Sequence, residues 1–244
     1  MLLVLLQQGL SVQEIIYLGI ILIFAMTLSF SFHEFMHAAV AVWLGDETPR
    51  NMGRLTLNPL AHIDPVGAIL LLLAGFGWGK PVMYNPNRLH RFKSHRLMNI
   101  MVHLAGVTGN FVIALFANII AMLFAALSVR FSNMEMVCRA LYDLFSYTHY
   151  FSLLLLAFNL IPIPPLDGFH VLEELLPVKV RYSEGYKKFQ RFAPYIIFVV
   201  FLIGRFTTIP LLSTLIELIE RPFAALIDLI STPFYFLLQF MGLL

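Results

Sequence analysis

Long apolar stretches separated by short polar segments dominate the chain. Three of them, residues 14–44, 97–127 and 137–160, are each long enough to form a helix that crosses a bilayer core of about 30 Å. The first would be about 46 Å long as one helix, so it is longer than the bilayer core is thick. The pattern therefore predicts three long helices, the first of which ends at Gly45.

Shorter elements lie between the first two helices. Residues 54–58 alternate between polar and apolar side chains and are followed by Pro59, which predicts a short strand or hairpin. Residues 66–76 are apolar but too few to cross a bilayer. We expect them to form a re-entrant segment, because irregular backbone at membrane depth must be covered by protein or must line a cavity.

The C-terminal part is apolar but interrupted. Residues 192–219 contain Arg205 and Pro210, which predicts a kinked span. Residues 222–244 are expected either to span the bilayer or to lie along its interface. The fold class is therefore a polytopic α-helical membrane protein with about four to six transmembrane helices, a short membrane-associated β-hairpin and a re-entrant segment.

The chain is expected to form a single integral membrane domain over residues 1–244, with a catalytic core at about 12–168 and C-terminal helices at about 190–244. Composition agrees, because 59% of the residues are hydrophobic and 12% are charged, whereas soluble domains are about 25% charged. The single cysteine, Cys138, excludes an intrachain disulfide and a metal site made mainly of thiolates. The sequence has no nucleic-acid patch, so the lipid bilayer is the expected partner and nucleic acid is not.

The distribution of basic residues predicts the orientation. Seven of the 16 Lys and Arg residues fall within residues 45–96 and five within residues 178–191. The positive-inside rule places both segments in the cytoplasm and the N-terminus outside the cell membrane. The end of the first helix and the end of the third helix then meet at the cytoplasmic side.

Candidate metal ligands lie inside the first apolar stretch. His33 and His37 are four residues apart, so on a helix both imidazoles face one side and can bind one metal ion. Glu34 can reach a water molecule at that metal and act as general base. The alternative is a chance match with two hydrogen-bonded histidines, but ionisable groups in a bilayer cost about 2.5–3.5 kcal/mol each and usually serve a function.

Catalytic zinc usually takes a third protein ligand. Asp167 is the best candidate, because it follows the third predicted helix on the same membrane side as the histidines, and Gly168 beside it permits close backbone approach. Asp64, at the start of the predicted re-entrant segment, is the alternative ligand. Asp167 could otherwise be an ordinary carboxylate in a proline-rich turn.

Hydrolysis would also require hydrogen-bond donors for the oxyanion. Asn159 or Asn110 could provide one, since a buried amide needs partners. A transmembrane substrate must unwind before its peptide bonds are accessible. Addition of the unwound segment to the strand edge at residues 54–58 would hold it.

Three motifs together resemble the site-2 protease family of intramembrane zinc metalloproteases, peptidase family M50. They are HEFMH at 33–37, GVTGN at 106–110 and NLIPIPPLDG at 159–168. The chain is similar to the compact form that lacks PDZ and CBS domains. It departs from the usual pattern at Val107, Phe169 and His170, which puts substrate preference in doubt.

The resemblance implies one zinc ion per chain, held by His33, His37 and Asp167, with Glu34 as catalytic base. It implies contacts to substrate or transition state at Asn110 and Asn159. It also suggests that residues 54–64 and 77–82 form membrane-associated strand and loop elements near the active site.

The sequence thus predicts an intramembrane zinc metalloprotease that cleaves in or near a transmembrane segment of a membrane protein, either in regulated intramembrane proteolysis or in signal-peptide clearance. A non-catalytic relative that binds membrane segments is the alternative. A transporter is a third hypothesis, but it would predict two related halves, and the chain shows no internal symmetry. The expected partner is a transmembrane protein or peptide, and homo-oligomerisation stays open.

Overall fold

The computed structural model describes residues 9–74, 77–207 and 210–243, and 79% of the chain is helical. The α-helices of the described residues are α1 (Val12–Trp43), α2 (Thr48–Asn51), α3 (Pro65–Ala74), α4 (His95–Arg130), α5 (Glu135–Leu160), α6 (Asp167–Leu175), α7 (Val178–Arg181), α8 (Glu184–Phe206) and α9 (Leu211–Phe240). Short 3-10 helices occur at Pro59–Ala61, Pro86–Arg88 and Ser132–Met134.

The three long helices predicted from the sequence are confirmed as α1, α4 and α5, with ends within three residues of the predicted ones. Local capping explains where α1 and α4 begin. The Ser11 side chain accepts a hydrogen bond from the Glu14 N–H, and the Glu14 carboxylate accepts one from the Ser11 N–H, which forms a capping box for α1. Ser94 caps α4 in the same way, through the Leu97 N–H.

Small side chains hold α1, α4 and α5 together. Ser29 of α1 and Ser152 of α5 are fully buried, and the Ser152 hydroxyl donates to the Ser29 oxygen at 2.8 Å. Ala114, Ala117 and Ala121 of α4 are buried as well. Residues of this size allow apolar helices to approach closely, which is how helices associate inside a bilayer.

The predicted β-hairpin is wrong. Residues 54–58 form no strand, and the one β-bridge among the described residues is an isolated antiparallel pair between Ile63 and Gly79. Local hydrogen bonds replace the strand ladder, because the Thr56 N–H donates to the Arg54 carbonyl and the Asn58 N–H donates to the Thr56 hydroxyl. An edge for strand addition at residues 54–58 is therefore not present.

Three helices in the described part of the chain, α1, α4 and α9, are long and apolar enough to cross a membrane. The predicted number of spans is therefore not confirmed, and α5 is outside this group. The predicted re-entrant segment is the short helix α3, although residues 75 and 76 lie outside the described residues. The predicted kinked span is instead divided, since α8 ends at Phe206 and α9 begins at Leu211.

Candidate metal centre

His33, His37 and Asp167 converge on one point between α1 and the start of α6. The Nε2 atoms of the two histidines are 3.0 Å apart, and each is 3.3 Å from Asp167 Oδ2. Both histidines are buried, with exposed fractions of 4% and 9%. Two imidazole nitrogens and one carboxylate oxygen, all within 4.8 Å of one another, are a ligand set that catalytic zinc uses.

Local packing explains why the ligands can converge. Gly106 of α4 lies against the two imidazoles, and a Cβ atom there would overlap His37 Nε2 and His33 Cε1. Gly168 allows the first turn of α6 to lie on the backbone of Leu160, at the end of α5. Two glycines therefore permit the close packing around the ligands. Gly106 lets α4 approach the histidines of α1, and Gly168 lets α6, which begins with Asp167, approach the end of α5.

The electrostatics of Asp167 suit a metal ligand. Burial alone would raise the pKa of its carboxyl group, but the neighbouring imidazoles of His37 and His33 outweigh burial and hold the pKa well below its usual range. Asp167 Oδ2 is buried and has no hydrogen-bond partner among the described residues. An ionised, otherwise unpaired oxygen that faces two imidazole nitrogens fits the donor set of a zinc site.

The other ring nitrogens of the two histidines bind to α4. His37 Nδ1 lies 2.7 Å from the carbonyl oxygen of Val102, and a carbonyl can only accept, so this nitrogen carries the proton. In the neutral, metal-binding form of His37, the Nε2 atom that faces Asp167 then carries no proton. His33 Nδ1 lies 3.0 Å from the Nδ2 atom of Asn110, which is fully buried.

Glu34 lies beside the ligands and is also buried. Its Oε2 atom accepts a hydrogen bond of 3.0 Å from the backbone N–H of Val82. The residues before Val82 are held in place, because the Lys80 N–H donates to the His62 carbonyl at 2.7 Å and Gly79 packs on the ring of Phe30. One carboxylate oxygen of Glu34 is thus fixed by the backbone.

The sequence model of peptidase family M50 matches residues 21–204. This range contains His33, Glu34, His37 and Asp167, and it covers three quarters of the chain. The chain belongs to peptidase family M50. Membership confirms the resemblance to the site-2 proteases and supports zinc as the cofactor, and His33, His37 and Asp167 lie close enough together to be a possible site for it.

Curated relatives carry corresponding names. The chain is 36% identical over 208 residues to Putative zinc metalloprotease YwhC of Bacillus subtilis. The aligned region covers 84% of this chain and 91% of that protein. It is 31% identical over 172 residues to Putative zinc metalloprotease Rip2 of Mycobacterium tuberculosis, and 28% identical over 170 residues to Rip2 of Mycolicibacterium smegmatis. The chain spans 61% of the length of either Rip2 protein. No solved structure matches the chain.

Two other predicted site residues of this M50 chain form local hydrogen bonds. The amide of Asn159 donates to the carbonyl of Leu155 in its own helix at 2.9 Å, so its role toward an oxyanion stays a prediction. Asp64, the alternative ligand, accepts a hydrogen bond from the Gly67 N–H at 2.9 Å, in the first turn of α3. Asp64 does not belong to the group of converging ligands.

A second cluster beside the metal centre was not predicted. The Tyr84 hydroxyl lies 3.0 Å from His103 Nε2, and the imidazole of His103 stacks on that of His170 with ring centroids 4.7 Å apart. The cluster joins the segment that contacts Glu34 to α4 and α6. Helical spacing could have indicated it, because His103 lies three residues before Gly106 and His170 three residues after Asp167.

Proposed function

We propose that this M50 chain is an intramembrane zinc metalloprotease that hydrolyses a peptide bond in or near a transmembrane segment of a membrane protein. The observation that carries the proposal is the convergence of Asp167 on His33 and His37, which lie with Glu34 in a helix apolar enough to cross a membrane. A metal centre at membrane depth has access to substrates that are themselves membrane-embedded. Regulated intramembrane proteolysis and signal-peptide clearance both require such a reaction.

A zinc ion held by His33, His37 and Asp167 would supply Lewis-acid activation of a water molecule and of the scissile carbonyl. Glu34 accepts the proton of the attacking water on the carboxylate oxygen that Val82 leaves free. The protonated carboxyl group then passes this proton to the nitrogen of the leaving amine. Asn159 or Asn110 is the proposed donor to the oxyanion.

We further propose that the metal centre lies toward the cytoplasmic side, with the N-terminus outside. The start of α4, the end of α6 and the start of α8 lie at one end of the molecule. There the Asn99 amide donates to Glu174 at 2.9 Å and the Gln190 amide donates to Glu173 at 3.1 Å. The two basic segments adjoin these helix ends, so one membrane side accommodates both.

The proposed activity is tested with the zinc-loaded chain in lipid vesicles and a panel of single-span model proteins that differ in helix-breaking residues within the span. Wild type is expected to cleave panel members, and Glu34→Gln is expected to lower the rate by at least about 100-fold, because general-base catalysis contributes 10²–10⁴-fold. Zinc content should be unchanged in Glu34→Gln. Binding of the panel by zinc-loaded wild type without any cleavage would instead favour the non-catalytic, membrane-segment-binding relative.

A further inference from the structure

Asn110 lies next to Nδ1 of His33, the ring nitrogen that faces away from the other proposed ligands. It is fully buried in α4, and its Nδ2 atom lies 3.0 Å from His33 Nδ1. Its Oδ1 atom is buried and has no hydrogen-bond partner among the described residues. The amide thus has one end directed at the metal centre and the other without a partner there.

This orientation of the amide conflicts with metal binding by His33. If Nδ2 donates to Nδ1, a neutral imidazole must carry its proton on Nε2. That proton would then point at His37 Nε2 and Asp167 Oδ2, where the metal must be bound. A metal-binding His33 therefore needs its proton on Nδ1 and an acceptor facing it.

A half-turn of the Asn110 amide about its last side-chain bond supplies that acceptor. The turn exchanges Oδ1 and Nδ2, which have nearly the same size, so the outline of the side chain stays the same. Because Oδ1 accepts no hydrogen bond in its present position, none is lost there. Oδ1 then accepts the Nδ1–H of His33, as the Val102 carbonyl accepts the Nδ1–H of His37.

We propose that Asn110 is a positioning residue that fixes His33 in its metal-binding tautomer through Oδ1. This inference rests on the proposed function, because it concerns the same zinc site. It assigns one face of α4 to the site, since Val102, Gly106 and Asn110 are spaced four residues apart and lie in one row. Val102 orients one histidine, Gly106 admits both rings, and Asn110 orients the other histidine.

The inference is tested by the zinc affinity of the purified full chain in detergent, measured by competition with a chromophoric chelator. Asn110→Ala removes the acceptor and is expected to weaken zinc binding by about 10–100-fold, the usual cost of losing an outer partner of a ligating histidine. Asn110→Asp keeps an oxygen acceptor in the same volume and should bind zinc within about threefold of wild type. Asn118→Ala is the matched control, because Asn118 lies on the same helix and donates to Ser231 instead.

The comparison between the two Asn110 variants identifies the atom that acts. If the amide served as a donor through Nδ2, an aspartate could not replace it, and Asn110→Asp would bind zinc as weakly as Asn110→Ala or more weakly. That result would overturn the inference, as would wild-type zinc affinity in Asn110→Ala. If Asn110→Ala does not fold, judged by thermal unfolding of the metal-free protein, the isosteric Asn110→Asp decides the question alone.

Failure of this inference differs from failure of the proposed function. Wild type that binds no zinc would contradict the metalloprotease itself. Wild type that binds zinc, together with an Asn110→Ala variant of equal affinity but slower cleavage, would leave the protease intact and assign Asn110 to the substrate or the oxyanion.

Discussion

Gly106 determines how closely α4 can approach the two imidazoles of α1. Any larger residue would place its Cβ atom on His33 and His37, so the ligands could not keep their present separation of 3.0 Å between Nε2 atoms. The same turn of α4 supplies the Val102 carbonyl to His37. The metal centre therefore depends on a missing side chain and on a backbone atom, neither of which the H-E-x-x-H pattern contains.

Asp167 is the proposed third ligand of the metal. Asp167→Ala removes the carboxylate that lies 3.3 Å from both Nε2 atoms, and it leaves two ligands for the metal. We expect zinc affinity to fall by more than the 10–100-fold that loss of an outer partner costs. The measurement is zinc per chain together with chelator competition on the detergent-purified protein.

Asp64→Ala is the matched control for this prediction. Within the described part of the chain, the Asp64 side chain accepts a hydrogen bond from the first turn of α3, so its loss should cost about 1 kcal/mol of stability and leave zinc bound. Zinc retained in Asp167→Ala but lost in Asp64→Ala would reverse the assignment. It would show that the alternative ligand considered from the sequence is the correct one.

Among the elements, the segment between α3 and α4 contacts Glu34, the proposed general base. Gly67 of α3 lies against the backbone of Trp78, and Gly79 lies against Phe30 of α1. These contacts fix the segment at the point where the Val82 N–H reaches Glu34. The segment therefore orients Glu34, the proposed general base, through a backbone N–H.

Removal of that N–H tests the element. Val82→Pro lacks the backbone donor, whereas Val82→Ala keeps it. A hydrogen bond to a charged group contributes about 1.5–3 kcal/mol, so Val82→Pro is expected to lower kcat by about 10–100-fold relative to Val82→Ala. Both variants should hold zinc as wild type does, because the Val82 N–H donates to Glu34 and not to a proposed metal ligand. Equal kcat values for the two variants would show that the N–H has no role in orienting Glu34.

The long helices could be predicted from the sequence, whereas the structure of residues 54–58 could not. The bounds of α1, α4 and α5 follow from apolar length, and α1 and α4 also begin at capping serines, which are visible in the sequence. Residues 54–58 alternate as a strand would, but the side chains of Arg54 and Thr56 and nearby carbonyls satisfy the backbone locally, so no partner strand is needed. Strand formation depends on a partner that a short alternating pattern does not specify.

The residues of the candidate site that belong to short sequence motifs could be predicted from the sequence. His33, Glu34 and His37 follow from helical spacing, and Asp167 follows from its place at a helix end. Helical spacing indicates His103, but the contacts of Val82 with Glu34 and of Tyr84 with His103 join different segments of the chain, and no local pattern encodes these contacts. For the same reason the partner of Asn110 could not be identified without the packing of α4 on α1.

At the scale of the whole molecule, α4 relates the metal centre to the two sides of the membrane. It has 36 residues and would be about 54 Å long, so it exceeds a bilayer core of about 30 Å. It begins next to a basic segment, and the histidine-binding row at Val102, Gly106 and Asn110 lies in its first half. The side of the membrane on which α4 begins is therefore the side nearer to the metal centre.

Cysteine labelling tests this orientation. Lys93 and Asn133 are exposed just before and just after α4, and the native Cys138 is buried and can be replaced by alanine to give a cysteine-free background. In intact cells, a membrane-impermeant maleimide should label Asn133→Cys, whereas Lys93→Cys should react only after permeabilisation, because the positive-inside rule places the basic end of α4 in the cytoplasm. Labelling of Lys93→Cys alone in intact cells would invert the topology and move the metal centre toward the outer side. Labelling of both in intact cells would mean that α4 does not cross the membrane, and the proposed cleavage of transmembrane segments would then lose its structural basis.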